Sequence, residues 1–591
     1  MRLFKSISEI DVSQREAIAA ANYAEWCANP RVGHELKKEL DTIKNDKDAL
    51  ISGFLTLISF GTAGLRGKMK VGSSNMNVHT VELATQALAS IVLKNDGAQK
   101  GVAIAYDSRN NSEEFSRRAA CVLAANGIKV YLFDALRPTP ELSYAIRRLG
   151  CKAGINVTAS HNPKEDNGYK VYWEDGAQLP PEEAAAVSAQ CMQYDFFKSI
   201  KTMDYDKAVS DGLITVIGEE LDEQYLSELL THIISQNNIE AQNDLKIVYT
   251  PLHGAGHALV PEVLRRAGFK NVTTVPEQMI LDGNFPTVKK PNPQYKESYE
   301  LACKMADENG GCDIILATDP DADRVGICAP DRDGNWFLPT GNQAGLMMLD
   351  YIIKQRRKNG TLADNACAVK SIVSTKLAES ICRKNGVEMI NVYTGFKYIG
   401  EKIKEFERDN SHTFIFGFEE SYGYLSASYA RDKDAVATSL LICEMAAYHK
   451  SRGITLREAL EDIYREYGFS AEMSYDVVIS ALDIKGKMKE IMSKAYSLHE
   501  TSDNLGGLRI VKVKDYHISS IINTYDKSVE KLPFVPDDVV AYELEDLSEV
   551  IIRPSGTEPK FKVYCFITAD NFEKAAEKFE KIRKSLFWIE E

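Results

Sequence analysis

The chain lacks several things that would have placed it quickly. Its eleven cysteines are scattered singly with no Cys-x-x-Cys pair, so neither a zinc knuckle nor a disulfide framework is indicated. Reduced thiols in a cytoplasmic protein are the expectation. No apolar run approaches the ~18 residues needed to span a bilayer, and the start, Met1-Arg2-Leu3-Phe4-Lys5, has no apolar core of the kind a leader needs. Positive charge is also short: 71 Lys and Arg against 85 Asp and Glu give a net charge of −14. That balance argues against nucleic acid or an anionic membrane as partner, since both are polyanions. A small phosphate can still bind such a protein through a local cluster of Arg and Lys.

Three familiar motifs are present only as near misses. Gly61-Thr62-Ala63-Gly64-Leu65-Arg66-Gly67-Lys68 resembles a P-loop, but one residue too many precedes Gly67-Lys68, and Met69 replaces Ser or Thr, which disfavours a nucleoside triphosphatase. His253-Gly254-Ala255-Gly256 follows an apolar strand, yet Leu259 stands where a dinucleotide fingerprint wants its third glycine, so the segment reads as a tight structural turn. No Gly-x-Ser-x-Gly elbow surrounds Ser160, which excludes an acyl-transfer serine of the α/β-hydrolase type.

What is present is a long chain of ordinary globular composition: 591 residues, 44% apolar and 26% charged, enough for about four domains. After a charged helical arm (14–57), strands and helices alternate. Strands are expected at 101–106, 128–133 and 153–157, with helices at 112–125 and 141–149. The same grammar recurs at 245–317 and again at 368–416, which predicts three α/β units with mainly parallel sheets. From about Phe469 the order changes to successive strands and a final helix, a smaller α+β domain. The expected boundaries are 1–212, 213–335, 336–469 and 470–591.

Four polar segments carry the chemistry. Thr158-Ala159-Ser160-His161-Asn162-Pro163 follows an apolar strand, where open α/β sheets place their sites, and Asn162-Pro163 turns the chain away. With Lys164 and Lys170 nearby, the setting suits a phosphate; a turn serine capping its own loop is the plain alternative. Asp319-Pro320-Asp321-Ala322-Asp323-Arg324 follows another strand. Alternate carboxylates on an extended segment project to one side and suit a hard divalent ion. An EF-hand would need Gly and Glu where Arg324 and Pro330 stand. A solvated acidic loop is the alternative. Gly417-Phe418-Glu419-Glu420-Ser421-Tyr422-Gly423 offers a carboxylate and a hydroxyl for sugar hydroxyls, or is an ordinary loop. Arg553-Pro554-Ser555-Gly556-Thr557-Glu558-Pro559-Lys560 combines guanidinium, hydroxyls and lysine into a phosphate cradle, or is a charged β-turn.

With these four loops in this order, the chain resembles the α-D-phosphohexomutases over nearly its whole length. The arm leading into Phe60–Gly67 is most similar to the branch that contains phosphoglucomutase 2 and phosphopentomutase. The resemblance implies three similar mixed α/β domains plus a C-terminal α+β domain around a central active-site cleft. It implies Ser160 as the phosphoserine, with Asp319, Asp321 and Asp323 holding Mg2+ against it. Glu419 and Ser421, with the loop Thr394-Gly395-Phe396-Lys397, would contact the sugar through Thr394, Gly395 and Lys397. Arg553, Ser555, Gly556, Thr557 and Lys560 would grip the distal phosphate. Arg66, His161, Lys170, Arg324 and Lys433 would surround the reacting group. Some members place a histidine four residues after the sugar-loop glutamate; Gly423 stands there in this chain, which leaves Lys433 and His161 as candidate proton carriers, unranked by sequence.

The activity so implied interconverts glucose 1-phosphate and glucose 6-phosphate, with glucose 1,6-bisphosphate as intermediate and activator. Phosphopentomutase and phosphomannomutase activities are the alternatives. A non-catalytic phosphosugar-binding protein is the rival from another class, disfavoured because a binder needs neither nucleophile nor metal. The expected partners are sugar phosphates alone, and the expected state is a monomer or weak oligomer.

Overall fold

The computed structural model describes residues 10–60, 64–479, 484–555 and 560–589. They divide into two compact units, Met1–Ser371 with Ile390–Glu458, and Ile372–Met389 with Ala459–Glu591.

Within the first unit the helical arm is three helices, Arg15–Ala28, His34–Ile43 and Lys47–Phe54. Trp26 pins the arm: buried, it meets Phe54, His79, Phe196 and Phe197 edge-on, at centroid distances of 5.3–5.8 Å. Beneath lies a six-stranded sheet in the order Leu65–Lys68, Asp166–Trp173, Ala153–Val157, Val102–Tyr106, Val130–Phe133, Ile214–Ile217. Four of these strands are parallel, and the two at the Leu65 edge run antiparallel. The helix Ser112–Ala125 and the strand Ala153–Val157 stand where the apolar pattern puts them. Helix Val78–Lys94, buried along most of its length and capped by Asn77, is an addition to the sequence reading.

Two further sheets repeat the plan. In the second, Lys246–Thr250 pairs in parallel with Asn271–Thr274 and Ile314–Thr318, and Val325–Pro330 returns antiparallel. In the third, Ala366–Ser371 and Thr413–Glu419 are parallel, and Gly423–Leu425 returns antiparallel. The sheets are therefore mixed rather than mainly parallel. The three returning strands follow the three polar loops, so each loop is the tip of a hairpin: 158–165, 319–324 and 420–422. Charged and glycine residues in Asp166–Trp173 and Val325–Pro330 obscured these strands. Pairing within a sheet supports them even so, because strand formation depends on neighbours more than on intrinsic preference.

The second unit is an antiparallel sheet of eight strands, joined by helices Ile484–Thr501 and Phe572–Ser585. Its buried face runs through Ile510, Tyr542, Val550, Ile552, Val563 and Ile567. The helix Leu377–Lys384 belongs to this unit too, with Lys376 3.7 Å from Glu549 and 3.9 Å from Glu543. Among the described residues no helix is long and apolar enough to cross a membrane.

Trp26→Ala should destabilise the first unit by about 3–5 kcal/mol, the usual cost of removing a buried aromatic. Urea unfolding followed by circular dichroism checks this. An unchanged midpoint would show that the arm is not seated through Trp26.

Candidate functional site

Each hairpin tip in the first unit holds one non-glycine residue in the left-handed backbone region: Ser160 at φ 53°, Ala322 at φ 50° and Tyr422 at φ 67°. Such residues are strained, and the strain persists only where the surroundings impose it. Here they bend each polar segment sharply enough to turn its side chains toward one place. Asp319–Arg324 is thus a curled turn rather than the extended segment predicted, and its three carboxylates converge for that reason. One ligand oxygen from each lies within 4.8 Å of the others, and all three residues are buried.

The three tips are bonded to one another. Ser160 Oγ donates to Asp319 Oδ2 at 2.8 Å and lies 3.0 Å from His161 Nδ1. Lys170 Nζ reaches Asp321 Oδ2 at 2.7 Å and Asp323 Oδ2 at 3.3 Å. Lys433 Nζ lies 3.2 Å from Asp323 and 2.8 Å from Asp432, and Arg324 Nε is 3.7 Å from Asp323 Oδ1. Thr139 donates to Asp321 through its hydroxyl, and its N–H donates to the Asp321 carbonyl, both at 2.8 Å. Val325 N–H donates to the Tyr422 carbonyl at 3.2 Å, joining the second hairpin to the third. Arg66 arrives from the edge strand and donates to Asn162 Oδ1 at 3.3 Å.

Burial and charge set the protonation of this cluster. Asp319 is pushed well above the usual carboxylate range by burial and then by Asp321 and Asp323. Burial would raise Asp323 as well, but Lys433, Lys170 and Arg324 hold it below that range. Burial opposes the charge of Lys433, yet Asp323, Asp432 and Glu419 outweigh it and raise its pKa. His161 is held well below its ordinary value by desolvation and by Arg324 and Arg66. Oδ1 of Asp321 and Oδ1 of Asp323 are buried without a hydrogen-bond partner. Orphaned carboxylate oxygens beside a third aspartate fit a hard divalent cation.

The turn after Lys246–Thr250 supports the loop 319–324, as its reading as a structural turn anticipates. Ala255 N–H donates to the Pro320 carbonyl at 2.7 Å, and a Cβ on Gly254 would collide with the Pro320 backbone. On the sugar-loop side, Glu419 accepts from Gly395 N–H at 2.7 Å, which ties the segment 417–423 to 394–397. Burial raises the Glu419 pKa, with Lys433 and the Gly395 N–H opposing. Thr394, Lys397 and Ser421 are half-buried beside them, and Lys397 Nζ stands 4.8 Å from the Tyr398 ring centroid. Gly423 has a positive role: a Cβ there would overlap the side-chain carbons of Lys433, so the absence of a side chain is what admits the lysine.

In the second unit, strands Glu549–Pro554 and Lys560–Thr568 pair antiparallel. Their hairpin sets Arg553 next to Ser555, whose N–H donates to the Lys560 carbonyl at 2.8 Å. Lys560 Nζ pairs with Asp476 at 2.9 Å. Gly556 and Thr557 lie outside the described residues.

Family models for phosphoglucomutase/phosphomannomutase α/β/α domains I, II and III match residues 57–198, 223–334 and 340–467. A phosphoglucomutase of Staphylococcus haemolyticus is 34% identical over 89% of this chain and 93% of its own length. The chain belongs to the phosphoglucomutase/phosphomannomutase family. A phosphoglucomutase of Staphylococcus aureus is 36% identical, covering 89% of this chain and 92% of the relative. Among solved structures, the Paramecium phosphoglucomutase pp63/parafusin shares the fold with TM-score 0.65 at 20% identity, over 90% of this chain and 94% of that one. A family protein from Burkholderia thailandensis does so with TM-score 0.63 at 18% identity, over 90% and 98%. Membership of the α-D-phosphohexomutases is as the four loops imply, and so are three α/β domains followed by a β-rich fourth.

Sequence reading missed Thr139, Asp107, Arg109 and Asp432. Asp107 and Arg109 do lie in a polar run at a strand end, Asp107–Ser112 after Val102–Tyr106, a signal that could have found them. Thr139 and Asp432 are recognisable only from what they touch.

Gly423→Ala should displace the Lys433 ammonium and lower kcat by about tenfold or more, since small misplacements at a reacting centre are costly. The melting temperature should change little, because the strain is relieved by moving one flexible side chain. Steady-state kinetics and a thermal melt on the same preparation check this; wild-type kinetics would show that the lysine has no fixed place.

Proposed function

We propose that the protein is a magnesium-dependent phosphoglucomutase that interconverts glucose 1-phosphate and glucose 6-phosphate through a phosphorylated Ser160 and a glucose 1,6-bisphosphate intermediate. The observation that carries this reading is the buried Ser160 hydroxyl, 2.8 Å from the first of three converging aspartates. Hydroxyl, carboxylates with orphaned oxygens, and Lys170, Arg324 and Lys433 are what phosphoryl transfer requires: positioning and charge neutralisation rather than covalent activation by a strong base. The names of the relatives support glucose as the sugar.

Asp319, Asp321 and Asp323, together with the serine phosphate, would hold the magnesium, which when bound neutralises charge on the transferring phosphoryl group. A sugar hydroxyl attacks the phosphorus of phosphorylated Ser160. The new sugar O–P bond forms as the bond to Ser160 Oγ breaks, and the hydroxyl proton passes to a neighbouring group. His161, 3.0 Å from Ser160 Oγ, and Lys433, paired with Asp323, are the candidates. The resulting bisphosphate turns over, and its other phosphoryl group returns to Ser160 Oγ by the reverse step. Glu419 and Ser421, with Thr394, Gly395 and Lys397, read the sugar hydroxyls in both orientations. Arg553, Ser555, Gly556, Thr557 and Lys560 carry the donor groups to grip a phosphate.

Ser160→Ala should abolish turnover while leaving the melting temperature nearly unchanged, and intact-mass measurement should find phosphate on the wild type only. Chelation of divalent cations should abolish wild-type activity, and added Mg2+ should restore it. A coupled assay with glucose, mannose and ribose 1-phosphates, bisphosphate present, should give the highest kcat/KM for glucose. Normal turnover in the alanine variant would sink the mechanism, and a preference for ribose would replace the substrate.

A further inference from the structure

The carrier serine sits in a strained backbone conformation on a loop that must hold still while a bisphosphate turns beside it. What restrains that loop is a single buried side chain from another strand end. Arg109 is 3% exposed and follows strand Val102–Tyr106 by three residues. Its Nη2 donates to the carbonyls of Ser160 and Asn162, both at 2.6 Å. Its Nη1 donates to the carbonyls of Pro163 at 2.8 Å and Asp166 at 3.0 Å. One guanidinium therefore grips the nucleophile's own carbonyl and three more along the turn that follows it.

The guanidinium is itself fixed on the far side. Asp107 Oδ2 lies 3.4 Å from Arg109 Nε, and Asp107 Oδ1 accepts from Arg109 N–H at 3.0 Å. The same carboxylate accepts from Thr158 Oγ1 at 2.6 Å, and that hydroxyl oxygen accepts from Ser160 N–H at 2.8 Å. Ser112 donates to Asp107 Oδ1 at 2.9 Å. The Arg109 guanidinium carbon also stands 5.1 Å from the Phe285 ring centroid. Ser160 is thus held at both ends of its residue, by N–H through Thr158 and by C=O through Arg109, and both holds end on Asp107. Asp107 pairs with the guanidinium, so Arg109 acts through the geometry of its N–H groups more than through net charge at the reacting phosphate. A lysine ammonium has three donors on one atom and cannot span two pairs of carbonyls.

We infer that Arg109, braced by Asp107, is the positioning residue that sets the place and strained backbone of the phosphate-carrying serine, so that its loss slows phosphoryl transfer without weakening sugar-phosphate binding. This rests on Ser160 being the phosphate carrier. The test measures transfer of radiolabelled phosphate from glucose 1,6-bisphosphate onto the enzyme in a single turnover, alongside kcat and KM for glucose 1-phosphate. The samples are wild type, Arg109→Lys and Thr158→Val.

Labelled wild type is the control on the underlying reading: if Ser160 takes up no label, that reading fails and not this one. With wild type labelled, Arg109→Lys should cut both the labelling rate and kcat by about 100-fold, the scale of a misplacement near 1 Å. KM should stay within about twofold, the pattern of an interaction that matters in the transition state. A role in stability alone would lower the melting temperature and leave labelling per folded molecule unchanged. Labelling and kcat at wild-type values in folded Arg109→Lys would overturn the inference. Should that variant fail to fold, Thr158→Val decides by the same readouts, because it removes both the hold on the Ser160 N–H and the bond from that hold to Asp107, the brace of Arg109. A selective fall in labelling and kcat supports the inference, and wild-type kinetics overturn it.

Discussion

Three aspartates buried within 4.8 Å of one another form an arrangement that a protein interior tolerates only with compensation, because like charges at that distance raise one another's pKa values and lose hydration. Much of the first unit is arranged around that constraint. Lys170 comes from the first sheet, Arg324 from the metal loop itself, and Lys433 from the segment leading into helix Ala435–Ser451. All three domains contribute cations, the first also setting Arg66 and Arg109 within electrostatic reach of Asp321. Two carboxylate oxygens stay without hydrogen-bond partners even so, an opening that suits a divalent cation.

The device that brings these groups together is repeated three times. A parallel strand ends in a polar tip, one tip residue takes a left-handed conformation, and the chain returns antiparallel along the sheet. The strain at Ala322 and Tyr422 is met by hydrogen bonds between domains, from Ala435 N–H to the Ala322 carbonyl and from Val325 N–H to the Tyr422 carbonyl, whereas Ser160 is held from within its own domain by Arg109 and Thr158. The same logic explains Gly423 and Gly254: both leave out a side chain where another part of the site must pass. Gly423 in particular shows that the departure from a histidine is matched by a second element, since the lysine occupies the room the glycine leaves.

Much of this was legible in the residues. Apolar runs bounded by Gly, Asn or Pro located strands such as Ala153–Val157, which is buried throughout, and helices such as Ser112–Ala125 and Gly256–Ala267, along which buried and exposed positions alternate. Polar segments at strand ends marked Ser160, the three aspartates and Glu419, since buried strands end in polar side chains mainly where those side chains have work to do. Helix Val78–Lys94 was not legible, because a helix buried on nearly every side has little polar face to reveal its period. Nor were the returning strands: Asp166–Trp173 carries Lys170, which turns to Asp321 instead of solvent, and Gly423–Leu425 is too short to show a pattern.

Local chemistry along the chain determined which residues could carry phosphate, ligate a cation and contact a sugar, because those capacities belong to residue types in short runs. Tertiary structure alone decided how they act together. Ser160 and Asp319 are 159 positions apart, and their contact at 2.8 Å follows from the docking of two separate sheets. The setting of Asp321 by Thr139 has the same origin, while the holding of Ser160 by Arg109 follows from the pairing of two strands in one sheet. Such contacts join side chains distant in sequence, and no pattern of composition or spacing encodes which carbonyl a buried guanidinium will reach.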